Sequence, residues 1–164
     1  MPDFPKKGIM FRDITTLLQD REGLNKSADA LYSLSKDFRI DKVVGIESRG
    51  FIFGSILAEK LGAGLVLVRK PGKLPYETLS QSYTLEYGDD TLEIHKDAIS
   101  PGERILVHDD LLATGGTAKA ACELIEKAGG NIVQISFIIE LAFLRGKEKF
   151  KDYTVSALVS YDSE

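Results

Sequence analysis

Short runs of branched aliphatic residues alternate with segments of helical spacing, and that alternation constrains the fold of this 164-residue chain more than any other feature. "DKVVGI" (Asp41–Ile46), "LVLVRK" (Leu65–Lys70), "RILVHDD" (Arg104–Asp110) and "NIVQISFIIEL" (Asn131–Leu141) read as strands apolar on both sides. Between them, "GFIFGSILAEKLGAG" (Gly50–Gly64) and "TAKAACELIEKAGG" (Thr117–Gly130) have the spacing of helices and stop at glycines. Continuously apolar strands joined through helices predict an α/β fold: an open, mostly parallel sheet with helices on both faces.

Other segments break the alternation. "SQSYTLEYGDDTLEIHKD" (Ser80–Asp97) has period-two stretches around Gly88-Asp89-Asp90, which predicts an antiparallel hairpin within 78–97. "GLNKSADALYSLSKDF" (Gly23–Phe38) fits an amphipathic scaffold helix. "PDFPKKGIMFRDITTLL" (Pro2–Leu18), rich in proline, lysine and glycine, is expected to be a loop ordered by packing. No repeat or linker divides the sequence, so residues 1–164 are expected to form a single domain, a length that buries roughly 70% of the unfolded chain's surface.

Charge and cysteine usage narrow the function. With 21 basic against 25 acidic residues the net charge is -4, which argues against a binder of nucleic-acid backbones and makes any anion site local. The single cysteine, Cys122, excludes an internal disulfide and sits in a helical pattern, which favours a reduced, cytoplasmic setting. No apolar run approaches the ~18 residues of a membrane span, and no leader is expected at the amino terminus.

The chemistry concentrates in "HDDLLATGGTA" (His108–Ala118). Asp109 and Asp110 end a strand, where ligands of open α/β sheets sit. Ala113, Thr114, Gly115, Gly116 and Thr117 lack bulk, so their backbone amides can wrap a phosphate at the positive end of the following helix. Lys119 falls beyond the second threonine, so this is not the phosphate loop of nucleoside triphosphatases. Adjacent carboxylates can accept bonds from vicinal hydroxyls or hold hydrated magnesium. Phosphate plus diol describes a ribose 5-phosphate; an acidic turn capping a helix is the plainer alternative.

These residues resemble the type I phosphoribosyltransferases, whose signature is an apolar strand, two acids, small residues and T-G-G-T. "DDLLATGGTA" is most similar to the adenine-using members, and "FPKKGIMFRDIT", "GIESRGFIFG", "VRKPGKLP", "YTLEYG" and "FIIEL" resemble that family's segments in its order. The resemblance implies transfer of ribose 5-phosphate from phosphoribosyl diphosphate to adenine, giving AMP and diphosphate, with Mg2+ bound mainly through the diphosphate. It further implies a homodimer, an N-terminal hood over 1–20 that binds the base, and a hairpin lid over 78–97.

Residue by residue, Asp109 and Asp110 would take the ribose hydroxyls and Ala113–Thr117 the 5-phosphate. Arg49, Arg69, Lys70 and Lys73 would bind the diphosphate, although a solvated basic surface is the plainer reading of "RKPGK". Phe11 and Leu111 would sandwich the base, while backbone around Met10 and Arg12 would read its edge. Glu86 would serve as acid-base residue beside the lid's Tyr87. A family-typical non-proline cis peptide would fall at Arg69–Lys70.

Two departures from the family stand out. His108 replaces an aliphatic residue or threonine and is assigned no role, and the sequence begins almost at "PDFPKKG", ahead of which relatives usually carry a short helical segment; a shorter start is expected to weaken dimer packing or hood closure, a different start site being the alternative. His95 is expected to be exposed. Transfer to hypoxanthine, guanine or xanthine, a sensor of phosphoribosyl diphosphate without catalysis, and a structural interaction module remain the competing readings.

Overall fold

The computed structural model describes residues 12–84 and 88–163. Its strands are β1 (Lys42–Ile46), β2 (Gly64–Val68), β3 (Thr78–Thr84), β4 (Asp89–His95), β5 (Arg104–Leu112), β6 (Asn131–Leu141) and β7 (Val155–Tyr161). Its helices are α1 (Thr15–Gln19), α2 (Arg21–Ser35), α3 (Gly50–Leu61) and α4 (Gly116–Lys127), with 3-10 turns at Ala142–Leu144 and Gly146–Phe150. Five strands pair in parallel in the order β2-β1-β5-β6-β7, and β3 pairs with β4 as the expected antiparallel hairpin.

Local chemistry sets the element ends. Asp20 accepts a bond from the Gly23 N–H at 2.5 Å and so caps α2. Gly62 closes α3 at φ 64°, a left-handed value that glycine adopts without steric cost. Helix α1 corrects the expectation of loop for this part of the N-terminal segment: the Asp13 carboxylate accepts from both the N–H (3.1 Å) and the hydroxyl (2.7 Å) of Thr15, which starts a helical turn. Residues 1–11 lie outside the described part of the chain.

The sheet buries a core on each side. Toward α4, Val44, Ile46, Ile105, Val107, Ile135 and Phe137 pack with Leu124 and Ile125, and with Leu92 and Ile94 of β4. Toward α2 and α3, Val43, Leu106 and Ile138 pack with Leu31, Phe53 and Leu57. The hairpin is therefore no loose appendage, because Leu92 and Ile94 are fully buried in the first of these cores.

The second face carries the buried polar groups. His108 Nδ1 lies 2.8 Å from Ser136 Oγ, and Gln134 Nε2 donates to Leu34 O (3.1 Å) and Ser156 Oγ (3.0 Å). Complete burial pushes the His108 pKa down to about 3, so the ring is neutral. Strand β7 was not expected from the sequence; it is an edge strand of half-buried and exposed residues, which leaves little apolar pattern to read. His95 corrects another expectation, being half-buried with Nε2 out of solvent, because the end of β4 shares a cavity with Leu65 and Leu67 of the edge strand β2.

Candidate active site

Because β1, β2 and β5 run parallel, the segments after them gather at the carboxyl end of the sheet. There a cavity of about 340 Å³ is lined by Glu47, Ser48, Arg49, Lys70, Asp109, Asp110, Leu111 and Thr117. A smaller one of about 90 Å³ shares Asp109, Leu111 and Thr117 and runs over Ala113, Thr114, Gly115 and Gly116.

The smaller cavity is a backbone structure. Gly115, at φ 78°, stands at the N-terminus of α4 with no side-chain cap, so the first-turn N–H groups are left to a ligand. The helix dipole there favours an anion by about 0.3–1 kcal/mol when exposed and up to about 2 kcal/mol when partly buried. The loop is braced from behind by Gly146, where an added Cβ would stand 2.1 Å from Ala113 O. A Cβ on Gly115 would in turn meet Gly146 O at 2.9 Å. Gly50 does the same for the acids, since its Cβ would lie 2.8 Å from His108 O and 3.0 Å from Asp109 Oδ1. Neither Gly50 nor Gly146 was singled out in the sequence, where only their placement in "SRG" and "LRG" could have pointed to them.

The two acids differ. Asp110 is almost fully buried and takes the Arg49 guanidinium through Nε at 2.5 Å. The Asp109 carboxyl accepts from the Asp110 N–H at 2.9 Å. Removal from water, and then the Asp110 charge, push its pKa well above the ordinary carboxylate range.

The larger cavity is ringed by side chains. Arg49 and Lys70 reach it, whereas the Arg69 guanidinium bonds to Glu47 (3.3 Å from both Nε and Nη2) and to Lys73 O (3.2 Å). Lys73 is exposed. Glu47, which the sequence reading passed over, also accepts from the Lys70 N–H at 2.8 Å and so organises the basic segment. Burial opposes its charge, but the bonds from Lys70 and Arg69 outweigh burial and hold its pKa below the usual range. Its legible signal was a carboxylate at the end of one parallel strand beside cations at the end of the next.

The expected cis peptide at Arg69–Lys70 is corrected: among the described residues the non-proline cis bond is Glu47–Ser48. Arg69 instead continues an extended path, exchanging backbone bonds with Glu93 at 2.9 and 2.8 Å. Leu111 lines both cavities, and the Arg12 guanidinium stacks 4.2 Å from the centre of the Tyr161 ring. Met10, Phe11, Glu86 and Tyr87 lie outside the described residues.

Comparison with known proteins agrees with this geometry. The phosphoribosyl transferase domain family matches residues 13–163. An adenine phosphoribosyltransferase of Christiangramia forsetii is 57% identical over 97% of this chain and 93% of its own. The crystal structure of adenine phosphoribosyltransferase from Thermoanaerobacter pseudethanolicus superposes with a TM-score of 0.95 at 50% identity, covering 98% of this chain and 94% of that one. The Saccharomyces cerevisiae enzyme, solved with an imino-altritol bisphosphate and adenine, gives 0.92 at 42% identity over 97% and 92%. With the type I sheet, the T-G-G-T loop and relatives of this kind, the chain belongs to the phosphoribosyltransferase family.

Proposed function

We infer that the chain transfers the 5-phosphoribosyl group of phosphoribosyl diphosphate to N9 of adenine, releasing diphosphate and AMP, a step of purine salvage. The observation that carries this reading is the meeting, at the end of β5, of an open helix N-terminus, two adjacent carboxylates, and a second cavity holding Arg49 and Lys70. The first suits a phosphate, the second a diol, the third a leaving diphosphate. The choice of adenine rests on the relatives, whose names state that base.

In this reading the amides of Ala113–Thr117 hold the 5-phosphate and Asp109 and Asp110 accept from the ribose hydroxyls. As the bond from C1 of the ribose to the diphosphate oxygen breaks and the bond to N9 forms, positive charge develops on the sugar beside the carboxylates. Negative charge moves to the diphosphate facing Arg49 and Lys70, so fixed charges stabilise both partners as they separate. Arg69 and Lys73 contribute from the rim, Arg69 by way of Glu47. Leu111 packs on the base; the roles of Phe11, Met10, Arg12, Glu86 and Tyr87 rest on the family resemblance. Glu86 would take the proton that adenine loses.

Among the described residues no three His, Cys, Asp or Glu side chains converge as a ligand set, so a magnesium ion would take its ligands chiefly from the diphosphate and water. Glu47, Asp109 and Asp110 are the carboxylates that line the cavity, and of these the adjacent Asp109 and Asp110 would face its waters. The ion would supply charge neutralisation on the departing diphosphate.

Residues 1–164 then act as a single domain, with 1–20 as hood and 78–97 as lid. Within the lid, Leu92 and Ile94 are fully buried and anchor β4 on the core. The homodimer is supported by two exposed leucines on the edge strand, Leu65 at 41% and Leu67 at 36%. No helix of the described residues is long and apolar enough to cross a membrane, and the buried free thiol of Cys122 suits a reduced cytoplasm.

Incubation with phosphoribosyl diphosphate, Mg2+ and each of adenine, guanine, hypoxanthine and xanthine tests the reading. AMP from adenine alone is expected. A nucleotide from another base would reassign the substrate, and no product with any base would leave a sensor.

A further inference from the structure

We propose that Tyr83 and Asp90 of the hairpin are positioning residues for the diphosphate end of the site, holding the Lys70 ammonium at the cavity and tying it to Thr117 of the phosphate loop. The proposal rests on the transferase reading and extends it to two residues, Tyr83 and Asp90, to which that reading assigned no role.

Tyr83 and Asp90 face each other directly across the β3–β4 pair. The Lys70 ammonium forms an ion pair with Asp90 and lies 3.3 Å from the Tyr83 hydroxyl, with the Tyr83 ring centre 5.8 Å away. That hydroxyl donates to Asp90 Oδ2 at 3.1 Å and accepts from Thr117 Oγ1 at 3.3 Å. A phenolic oxygen has one proton and two lone pairs, so with Asp90, Lys70 and Thr117 as partners its capacity is filled. Asp90 is itself fixed by the Thr91 N–H at 2.8 Å on its other oxygen. The ring also rests against the start of α4, where a Cβ on Gly116 would meet it at 3.8 Å.

The consequence is preorganisation. A lysine side chain is long and loses much rotamer freedom when it must be placed for an anion. Here two of its three N–H bonds are taken by the hairpin, which leaves the third for an anion in the cavity that Lys70 lines. Burial works against the charge on Lys70, yet the bonds to Asp90 and Tyr83 outweigh it, so its pKa stands above that of an ordinary lysine and the ammonium stays charged. Because Thr117 shares the hydroxyl, the phosphate loop and the diphosphate side are set by one group rather than independently.

The test titrates magnesium diphosphate into wild type, Asp90→Asn and Tyr83→Phe, and measures KM and kcat for phosphoribosyl diphosphate with adenine. Both variants should bind diphosphate about tenfold more weakly. KM for phosphoribosyl diphosphate should rise in parallel, kcat should fall less than KM rises, and KM for adenine should stay within about twofold. Ser82→Ala removes only the cross-strand contact to Thr91 (3.0 Å) and should leave diphosphate binding unchanged, which separates positioning from general hairpin stability. Should Tyr83→Phe not fold, Asp90→Asn decides alone. Diphosphate affinity within twofold of wild type in folded Asp90→Asn overturns the proposal, and tighter binding would mean that Asp90 competes with the ligand. A wild type that binds diphosphate but makes no nucleotide would fail the transferase reading instead, with the binding comparison intact.

Discussion

The two cavities at the end of β5 bind by different means. The smaller is made of main chain: small residues from Ala113 to Thr117, an uncapped helix end, and Gly146 pressed behind them. The larger is ringed by side chains: Arg49 on Asp110, Arg69 on Glu47, and Lys70 on Asp90 and Tyr83. A backbone site fails when volume is added, while a side-chain site fails when charge is removed. The difference also orders what substitutions will do.

The largest effect is expected at Gly146, where any Cβ would overlap Ala113 O. Gly146→Val should cost more than about 3 kcal/mol in chemical denaturation and abolish transfer. Gly54→Ala, whose Cβ meets nothing nearer than 3.5 Å, should remain folded and active. Equal tolerance of both would break the claim that the small cavity is a close-packed backbone cradle.

Next comes the acid pair between the cavities. Asp109→Asn removes a carboxylate from the sugar's position and should lower kcat/KM for AMP formation about ten- to a hundredfold, the worth of a hydrogen bond to a charged group. An unchanged value would assign the ribose to backbone alone.

His108 sharpens the comparison through pH, since it precedes the acids on β5 yet faces the α2–α3 side. Its folded pKa is near 3 against an ordinary 6.5, so between those values the unfolded chain binds more protons. Stability should therefore fall as pH drops from 6.5 toward 3, by at most about 1.4 kcal/mol per unit from this group. His108→Val should flatten that slope in denaturation curves taken across the window. An identical slope in the variant would place the acid sensitivity elsewhere.

The smallest effect is screening. Raising ionic strength should weaken diphosphate binding several-fold and ribose 5-phosphate binding less, because partly exposed cations hold the first and buried main-chain dipoles the second. The reverse order in calorimetric titrations would break the distinction.

Much of this was legible beforehand for a physical reason. Strand Asn131–Leu141 is apolar on both sides, and its bounds match the sequence reading. The phosphate loop declares itself because a backbone site requires small residues in a row. Strand β7 hid because an edge strand keeps a half-exposed surface, and Glu47, Tyr83 and Asp90 hid because their partners lie 20 or more residues away or across a hairpin. Gly146 hid because its contact is with a loop about thirty positions earlier. Side-chain sites assembled across strands leave no local pattern, whereas main-chain sites do.

The most direct measurement is calorimetric titration of AMP into wild type and Asp110→Asn, each verified as folded by thermal unfolding. Asp110 is buried in the wall of the larger cavity, next to Asp109, which lines both, and is paired with Arg49. Wild type should show saturable 1:1 binding, weakened about ten- to a hundredfold by the substitution. AMP affinity unchanged in the variant, or no AMP binding by folded wild type, would contradict the assignment of Asp109–Thr117 to ribose 5-phosphate.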